Sequence, residues 1–366
     1  MKDTFEIFVS VALGLEDVLC AEVAEAGFPS PQSVQGGVSF EGNWVDVYRA
    51  NLELRGAARV LARIGEFRVM HLAQLDKRAR KFPWGDVLKK DVPLKVDVTC
   101  RKSKIYHDKA ARQRIETALT EDFGATIAED APVVLKVRIE DDLCSISVDT
   151  SGESLHKRGH KEAVGKAPMR ENLAALFLRE CGYTGAEPVV DPMCGSGTFV
   201  IEAAEIAMGL QPGRSREFAF QKLANYDDNA FQKLKKAGGS TKLRFFGSDR
   251  DAGAVRMSTQ NAERAGVSDV VAFKNHAVSD LQRPEGAEGL VIVNPPYGAR
   301  IGQRKLLYAV YGALGKTLME KFSGWRVGII TSDAALAHAT GLPFIPEPIS
   351  VSHGGLRVQL FRTEAL

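Results

Sequence analysis

The stretch Val189-Val190-Asp191-Pro192-Met193-Cys194-Gly195-Ser196-Gly197-Thr198 decides the fold, because it runs from an apolar strand through a glycine turn into a helix. Around it, the apolar segments EPVVD, LRFFGSD, VVAFKN, GLVIVN and WRVGIITSD alternate with helical segments. Such alternation is typical of a parallel sheet covered by helices on both faces. We therefore predict a doubly wound α/β domain over residues 171–366, with GGLRVQLFRTE as an antiparallel strand at or near its edge.

The glycine turn indicates a cofactor site. Gly195 and Gly197 allow the backbone to approach a ligand at the start of a helix, where N–H groups lack partners. A phosphate-binding P-loop has Gly-Lys-Ser/Thr here, and a dinucleotide fingerprint has a third Gly or Ala where this chain has Val200. The next acidic residue that ends a strand is Asp249. A cofactor with a ribose but no phosphate fits this pattern, with Asp249 accepting both ribose hydroxyls.

A third strand-end loop, HAVSDL, offers a contact for the adenine of such a cofactor. Asp280 is one candidate for binding the adenine amino group. His276 is the alternative, because the loop can be registered in two ways.

The catalytic candidate is Asn294-Pro295-Pro296-Tyr297, directly after the apolar strand GLVIV. Ligand sites of parallel sheets lie at the carboxyl ends of the strands, so this loop faces the same crevice as the glycine turn. The Asn294 Oδ1 and the Pro295 carbonyl can accept both hydrogens of a planar amino group, and Tyr297 offers a stacking face. We predict in-line methyl transfer from a sulfonium to a flipped-out base, without a metal or a covalent enzyme intermediate.

The N-terminal half reads as two small α+β units. Strands and helices alternate over residues 1–65, and a second helix–strand set with a terminal hairpin covers residues 66–153. Residues 154–170 are basic, contain glycine and show weak periodicity, which predicts a linker.

Composition narrows the classes of protein. The 45% hydrophobic content excludes a disordered chain, and no apolar run reaches the roughly 18 residues of a membrane span. We see no signal peptide, and the five cysteines form no CxxC pair, which favours a cytoplasmic protein with reduced thiols and no metal site. Charge is uneven: residues 1–54 carry 2 Lys/Arg and 9 Asp/Glu, residues 55–115 carry 17 and 6, and residues 116–154 carry 2 and 10. The basic block indicates a polyanion-binding surface.

These motifs resemble a known family. DPMCGSGTFVIEAA, VNPPYGARIG, SLHKRGHKEAVGKAPMRENLAA and REFAFQKLANYD are similar to segments of the THUMP-containing bacterial RNA methyltransferases that form N2-methylguanosine, especially the 23S rRNA enzymes. The resemblance implies a ferredoxin-like unit, a THUMP RNA-binding domain and a Rossmann-like methyltransferase domain, in that order. It also implies S-adenosylmethionine as cofactor and the exocyclic N2 of a guanine in 23S rRNA as methyl acceptor. Alternatives are a tRNA guanine-N2 enzyme, and a DNA adenine-N6 or protein-glutamine methyltransferase.

By this resemblance, the residues expected to contact the cofactor are Asp191, Gly195, Ser196, Gly197, Asp249, Asp280, Pro168 and Asn172. The catalytic loop comprises Asn294, Pro295, Pro296 and Tyr297, with Arg300 following on the substrate side. The chain ends soon after its last strand, so we expect one methylation activity, without the second methyltransferase domain of some relatives. We also expect a monomer.

The same resemblance gives the basic block a role in holding RNA phosphates. Such contacts position an RNA more than they select its sequence. The expected contacts are Lys77, Arg78, Arg80, Lys81, Arg101, Lys102, Lys104, Lys109, Arg112 and Arg114, continued across the linker by Lys157, Arg158 and Lys161.

Overall fold

The computed structural model describes residues 4–161, 169–297, 304–353 and 355–366. Its contacts divide the chain into two compact units, each built on a seven-stranded sheet. The N-terminal unit contains residues up to Val11, Cys20–Leu155 and Arg216–Lys235. The C-terminal unit contains Ala12–Leu19, His156–Ser215 and Lys236–Leu366.

The sheet of the N-terminal unit is antiparallel except at one end. Its strands are β1 (Phe5–Ser10), β2 (Gln32–Val34), β3 (Gly37–Gly42), β4 (Arg59–Arg68), β5 (Leu94–Arg101), β6 (Val133–Glu140) and β7 (Leu143–Asp149). They lie in the order β2-β3-β1-β4-β7-β6-β5, and only β5 and β6 pair in parallel. The helices of this part of the chain are α1 (Glu16–Glu25), which crosses between the units, α2 (Trp44–Glu53), α3 (Leu72–Arg80) and α4 (Asp108–Ala118).

One continuous sheet therefore serves both predicted α+β units. β4 runs through the predicted boundary at residues 65 and 66 and pairs with β7, with a register shift between Arg63 and Gly65. Alternation decides which faces are buried: in β6, Val133, Leu135, Val137 and Ile139 are buried and the residues between them are not. Because the two predicted units share one sheet, their division into a ferredoxin-like unit and a THUMP domain remains a prediction.

Residues 216–235 belong to the N-terminal unit, although their place in the chain had assigned them to the α/β domain. They form a 3-10 turn (Ala219–Lys222) and α7 (Asp228–Leu234). The turn places Phe220 4.6 Å from Tyr48, ring to ring, with Phe218 and Phe231 packed around it. The Tyr48 hydroxyl donates to the Asn225 carbonyl at 3.3 Å. This aromatic cluster explains why the segment packs on the N-terminal unit.

The C-terminal unit has the predicted parallel sheet. Its strands are β8 (Val189–Asp191), β9 (Phe245–Asp249), β10 (Val271–Asn275), β11 (Leu290–Val293), β12 (Arg326–Thr331), β13 (Ile349–His353) and β14 (Leu356–Arg362). The order is β10-β9-β8-β11-β12-β14-β13, in which the first five strands are parallel and β14 and β13 are antiparallel additions. The predicted last strand is β14. It lies one position in from the edge, because β13, which the sequence did not reveal, pairs outside it.

The helices of the C-terminal unit are α5 (Glu171–Glu180), α6 (Thr198–Ala207), α8 (Ala252–Ala265), α9 (Arg304–Lys321) and α10 (Ala334–His338). α9 packs its Leu314, Leu318 and adjoining Phe322 against Val291 and Val293 of β11, all fully buried. Among the described residues, no helix is long and apolar enough to cross a membrane.

Candidate active site

Three neighbouring parallel strands end in the polar residues that the sequence singled out. β9, β8 and β11 are adjacent in the sheet and end at Asp249, at Asp191 and, one residue before Asn294, at Val293. The carboxyl ends of parallel strands share one edge of the sheet. The structure therefore brings the glycine turn, Asp249 and the Asn-Pro-Pro-Tyr loop to the same edge.

The glycine turn is tied to the end of β9. The Gly195 N–H donates to Asp249 Oδ2 at 3.0 Å, and the Cys194 N–H donates to the Ser248 carbonyl at 2.9 Å. The other carboxylate oxygen, Oδ1, accepts from the Asp251 N–H at 2.9 Å. These bonds fix the Asp249 carboxylate before any ligand is bound.

The two glycines of the turn have different surroundings. Gly195 has φ +53°, and no atom of the described residues lies within 4 Å of the position that a β-carbon would take. Gly197 has φ +82°, and a β-carbon there would lie 2.8 Å from the Ser258 β-carbon. Both need the left-handed conformation that glycine adopts without strain. As far as the described residues extend, Gly195 therefore borders open space, whereas Gly197 packs against the protein.

Asp191 and Ser196 are buried at this edge. Asp191 is 2% exposed and accepts from the Met193 N–H at 3.1 Å. Burial, and next the negative charge of Asp249, raise the pKa of Asp191 to about 8. Ser196 is 4% exposed, and its carbonyl accepts from Asn261 Nδ2 at 3.0 Å, which attaches the turn to α8.

Both candidates for the adenine contact follow β10. The Asp280 side chain is exposed in a 3-10 turn (Val278–Asp280) and accepts one long hydrogen bond, 3.4 Å, from Ser279 within the described part of the chain. The His276 N–H donates to the Asp249 carbonyl at 3.2 Å, and its Nδ1 lies 2.9 Å from the Ala277 carbonyl. Of the two side chains, that of Asp280 therefore keeps more hydrogen-bonding capacity for a ligand.

The Asn294 side chain carries a buried hydrogen-bond acceptor. Its Oδ1 is buried and has no hydrogen-bond partner among the residues that the structure describes. Such an unpaired acceptor costs free energy unless a ligand satisfies it. Pro295 is buried, and Tyr297 is half-buried against the core, where desolvation raises the pKa of its hydroxyl.

Three further predicted residues complete the inventory of the site. Asn172 is 4% exposed in the first turn of α5. Pro168 and Arg300 lie outside the described residues.

Comparisons with known proteins agree with this architecture. A family of RMKL-like methyltransferase domains matches residues 158–345, just over half of the chain, and the RlmL ferredoxin-like domain matches residues 6–61. The chain belongs to the RMKL-like methyltransferase family. The predicted Rossmann-like methyltransferase sheet is thereby confirmed.

Matches that cover nearly the whole of this chain agree with the family assignment. The chain is 34% identical over 352 residues to the ribosomal RNA large subunit methyltransferase K/L of Psychromonas ingrahamii, a match that covers 92% of this chain and 47% of that protein. The chain thus spans about half the length of this curated relative. The structure of SMU.472 in complex with SAH has 29% identity and a TM-score of 0.87, covering 100% of this chain and 99% of that one. A possible methylase from Clostridium difficile 630 has 27% identity and a TM-score of 0.87, covering 99% and 98%.

A set of buried ion pairs behind the glycine turn of the methyltransferase domain was not predicted. Arg158 and Glu202 of α6 are each 1% exposed and lie 3.3 Å apart. Arg158 was expected to contact RNA, but its burial removes it from the surface, so that expectation is wrong. Arg214 Nη2 likewise donates to the buried Glu205 of α6 at 2.6 Å.

A second buried pair holds the start of α6 and involves Lys161, whose side chain is 8% exposed, so the expectation that Lys161 contacts RNA is wrong. The Lys161 Nζ lies 3.5 Å from Glu171 and donates to the Thr198 Oγ1 at 2.9 Å and to the Met169 carbonyl at 2.7 Å. A sequence signal did exist: the helix TFVIEAAEIA carries two glutamates on an otherwise apolar segment, which requires buried cationic partners.

The remaining predicted RNA contacts divide into two groups. Most are exposed: Lys77, Arg78, Lys81, Arg101, Lys102, Lys104, Lys109, Arg114 and Lys157. Arg80 instead bonds to Asp76, Glu121 and Asp122, and Arg112 bonds to Glu116 and Glu129. The acidic block that follows the basic block therefore neutralises part of it within the N-terminal unit.

Proposed function

We propose that this chain transfers a methyl group from S-adenosylmethionine to the exocyclic N2 of a guanine in 23S rRNA. The proposal rests on Asn294 Oδ1, just after β11 and at the same sheet edge as the glycine turn, which is buried and has no partner among the described residues. The relative named for large-subunit ribosomal RNA supports the choice of RNA. We also propose that the enzyme works as a monomer in the cytoplasm.

The residues at the strand ends fit the cofactor. The open space beside Gly195 accepts a ligand directly against the backbone, as a β-carbon there would not allow. The Asp249 carboxylate, held by two N–H groups, keeps lone pairs for two ribose hydroxyls. The SAH-bound structure of SMU.472 supports the same ligand class. When bound, the cofactor supplies a methyl group on a positively charged sulfur.

The catalytic loop orients the acceptor. Asn294 Oδ1 and the Pro295 carbonyl accept the two amino hydrogens, which leaves the nitrogen lone pair directed out of the base plane. The acceptors are strongest in a desolvated site, and Asn294 Oδ1 and Pro295 are both buried. Tyr297 stacks on the base, and the methylated nitrogen then loses one proton to water.

The N-terminal unit is proposed to hold the RNA. Residues 1–65 form a ferredoxin-like part and residues 66–153 a THUMP domain, with the exposed cations of α3 and α4 on the phosphates. Lys157 of the C-terminal unit is proposed as a separate RNA contact, because it is exposed whereas its neighbour Arg158 is buried.

The test is transfer of labelled methyl groups to unmodified total RNA, followed by digestion to nucleosides. We expect label in N2-methylguanosine of the 23S fraction. Label in tRNA or in N6-methyladenosine would contradict the proposal and favour the tRNA or the adenine-N6 alternative.

Two variants separate chemistry from folding. Asn294→Ala should lose transfer by a factor of at least about 100, while S-adenosylhomocysteine binding is retained. Asn225→Ala is the matched control, because Asn225 also has buried amide atoms without partners among the described residues, but lies in the N-terminal unit. The control should retain transfer.

A further inference from the structure

One aromatic side chain stands out in the N-terminal unit because it contacts so little protein. Tyr106 is 78% exposed, the highest value among the large apolar side chains that the structure exposes in its described residues. It lies between β5 and α4, in residues 102–107, which we call the β5–α4 loop. The His107 ring lies 5.5 Å from it and is tilted by 39°.

The β5–α4 loop is exposed but firmly held. Ile105, next to Tyr106, is 4% exposed and anchors the loop in the core. The Lys104 N–H donates to Asp142 Oδ1 at 2.8 Å, and Ser103 Oγ accepts from the Asp142 N–H at 3.0 Å while donating to the Arg101 carbonyl at 2.8 Å. A ring held on such a backbone binds a partner at low entropic cost.

The surroundings of Tyr106 are positive. Residues 101–109 carry the exposed cations Arg101, Lys102, Lys104 and Lys109 against a single carboxylate, Asp108. The Asp108 carboxylate accepts from the Cys100 N–H at 2.7 Å. The Asp142 carboxylate similarly accepts from the Lys104 N–H. Within residues 101–109 the charge without a carboxylate partner is therefore cationic, which favours a polyanion.

We propose that Tyr106 stacks on an unpaired RNA base, while Lys102 and Lys104 contact the flanking phosphates. Phosphate binding alone needs no exposed ring, and a duplex hides the faces of its bases. Met70, 49% exposed with its Sδ 3.8 Å from Lys104 Nζ, extends the apolar face. The inference rests on the proposed function and narrows its substrate: the rRNA presents a single-stranded segment to this loop, in addition to the guanine that is methylated.

Binding to RNA oligomers tests this proposal with the full chain. A labelled single strand of about 12 nucleotides and the blunt duplex of the same sequence are titrated at one fixed salt concentration. Stacking on an aromatic side chain corresponds to a factor of about 5 to 150 in affinity. We expect Tyr106→Ala to weaken binding of the single strand by about tenfold, Tyr106→Phe to match the parent, and duplex binding to be unchanged in both.

Matched controls and contrary outcomes are available. Met319→Ala removes another exposed apolar side chain, 52% exposed on α9, and should bind both RNAs like the parent. The proposal fails if Tyr106→Ala keeps single-strand affinity, or loses single strand and duplex by the same factor. It also fails if polyglutamate displaces the single strand as well as unlabelled RNA does, because the partner would then be an acidic protein.

These results are independent of methyl transfer. Oligomer binding is measured without cofactor and without detecting a methylated product. The assay therefore stays valid if the methylated RNA is not 23S rRNA. Conversely, loss of the stacking effect leaves the N2-methylguanosine assay unaffected.

Discussion

Gly195→Ala tests the cofactor site most directly. Alanine keeps the N–H that donates to Asp249, and no described atom lies within 4 Å of the added methyl, so the described part of the protein accommodates it. The left-handed φ of +53° costs about 1 kcal/mol of folding free energy for a residue with a β-carbon. The methyl, however, occupies the space proposed for the cofactor.

The expected loss of binding follows from steric overlap. A methyl group forced into a filled site costs roughly 1–3 kcal/mol, which raises the Kd for S-adenosylhomocysteine by a factor of about 5 to 150. Isothermal titration calorimetry measures this change, and thermal unfolding measures the folding cost, which we expect to shift Tm by about 2–4 °C.

Gly266→Ala is the control. Gly266 ends α8 with φ +73° and also has no described atom within 4 Å of its β-carbon position. Both variants should therefore lose the same stability, and only Gly195→Ala should lose ligand affinity. Parent-like binding by Gly195→Ala, or equal loss of binding in both variants, would refute the reasoning.

Three other predictions follow from the charges of the structure. Because burial raises the pKa of Asp191 to about 8 from 3.8, its neutral form stabilises the fold at low pH, and that stabilisation is lost as the pH rises through about 8. The free energy of unfolding by urea should thus fall between about pH 5 and 8 more steeply in the parent than in Asp191→Asn, and equal slopes would contradict it. Arg158→Met should cost about 3–5 kcal/mol in the same assay, because it breaks a buried pair, and adding Glu202→Leu should recover part of the loss; no recovery would argue against the pair. RNA affinity should fall with salt concentration, and the plot of log affinity against log salt should have a slope of about −0.7 to −0.9 per phosphate contact. Lys102→Ala should reduce this slope by the value of about one contact. Arg80→Ala should leave it unchanged, because Arg80 is already paired with acidic residues.

The α/β part of the fold could be predicted because its signals are local. An apolar run and the turn that follows it are enough to predict a buried strand. The strands that end at Asp191, at Asp249 and just before Asn294 were therefore all predicted. β13 was missed because Ile349–His353 mixes polar with apolar residues, so no apolar run marks it as a strand. Its pairing with β14, rather than its own sequence, makes it a strand.

Charged residues were the harder case, because pairing joins distant parts of the chain. The segment that holds Arg158 and Lys161 has the composition of a solvated linker, yet their carboxylate partners Glu202 and Glu171 lie beyond it on two helices. Arg80 and Arg112 similarly find partners in the following acidic block. Net charge along a sequence therefore overestimates the cations that remain available to RNA.

The path of the chain limits how the protein can be divided. It passes between the two units at five points, after residues 11, 19, 155, 215 and 235. A C-terminal fragment that begins at His156 would carry Phe218, Phe220 and Phe231 without Tyr48 and its neighbours, and these rings are at most 2% exposed in the whole protein. Such a fragment should aggregate, so the methyltransferase unit has to be expressed and purified together with the N-terminal unit, not cut out at residue 156.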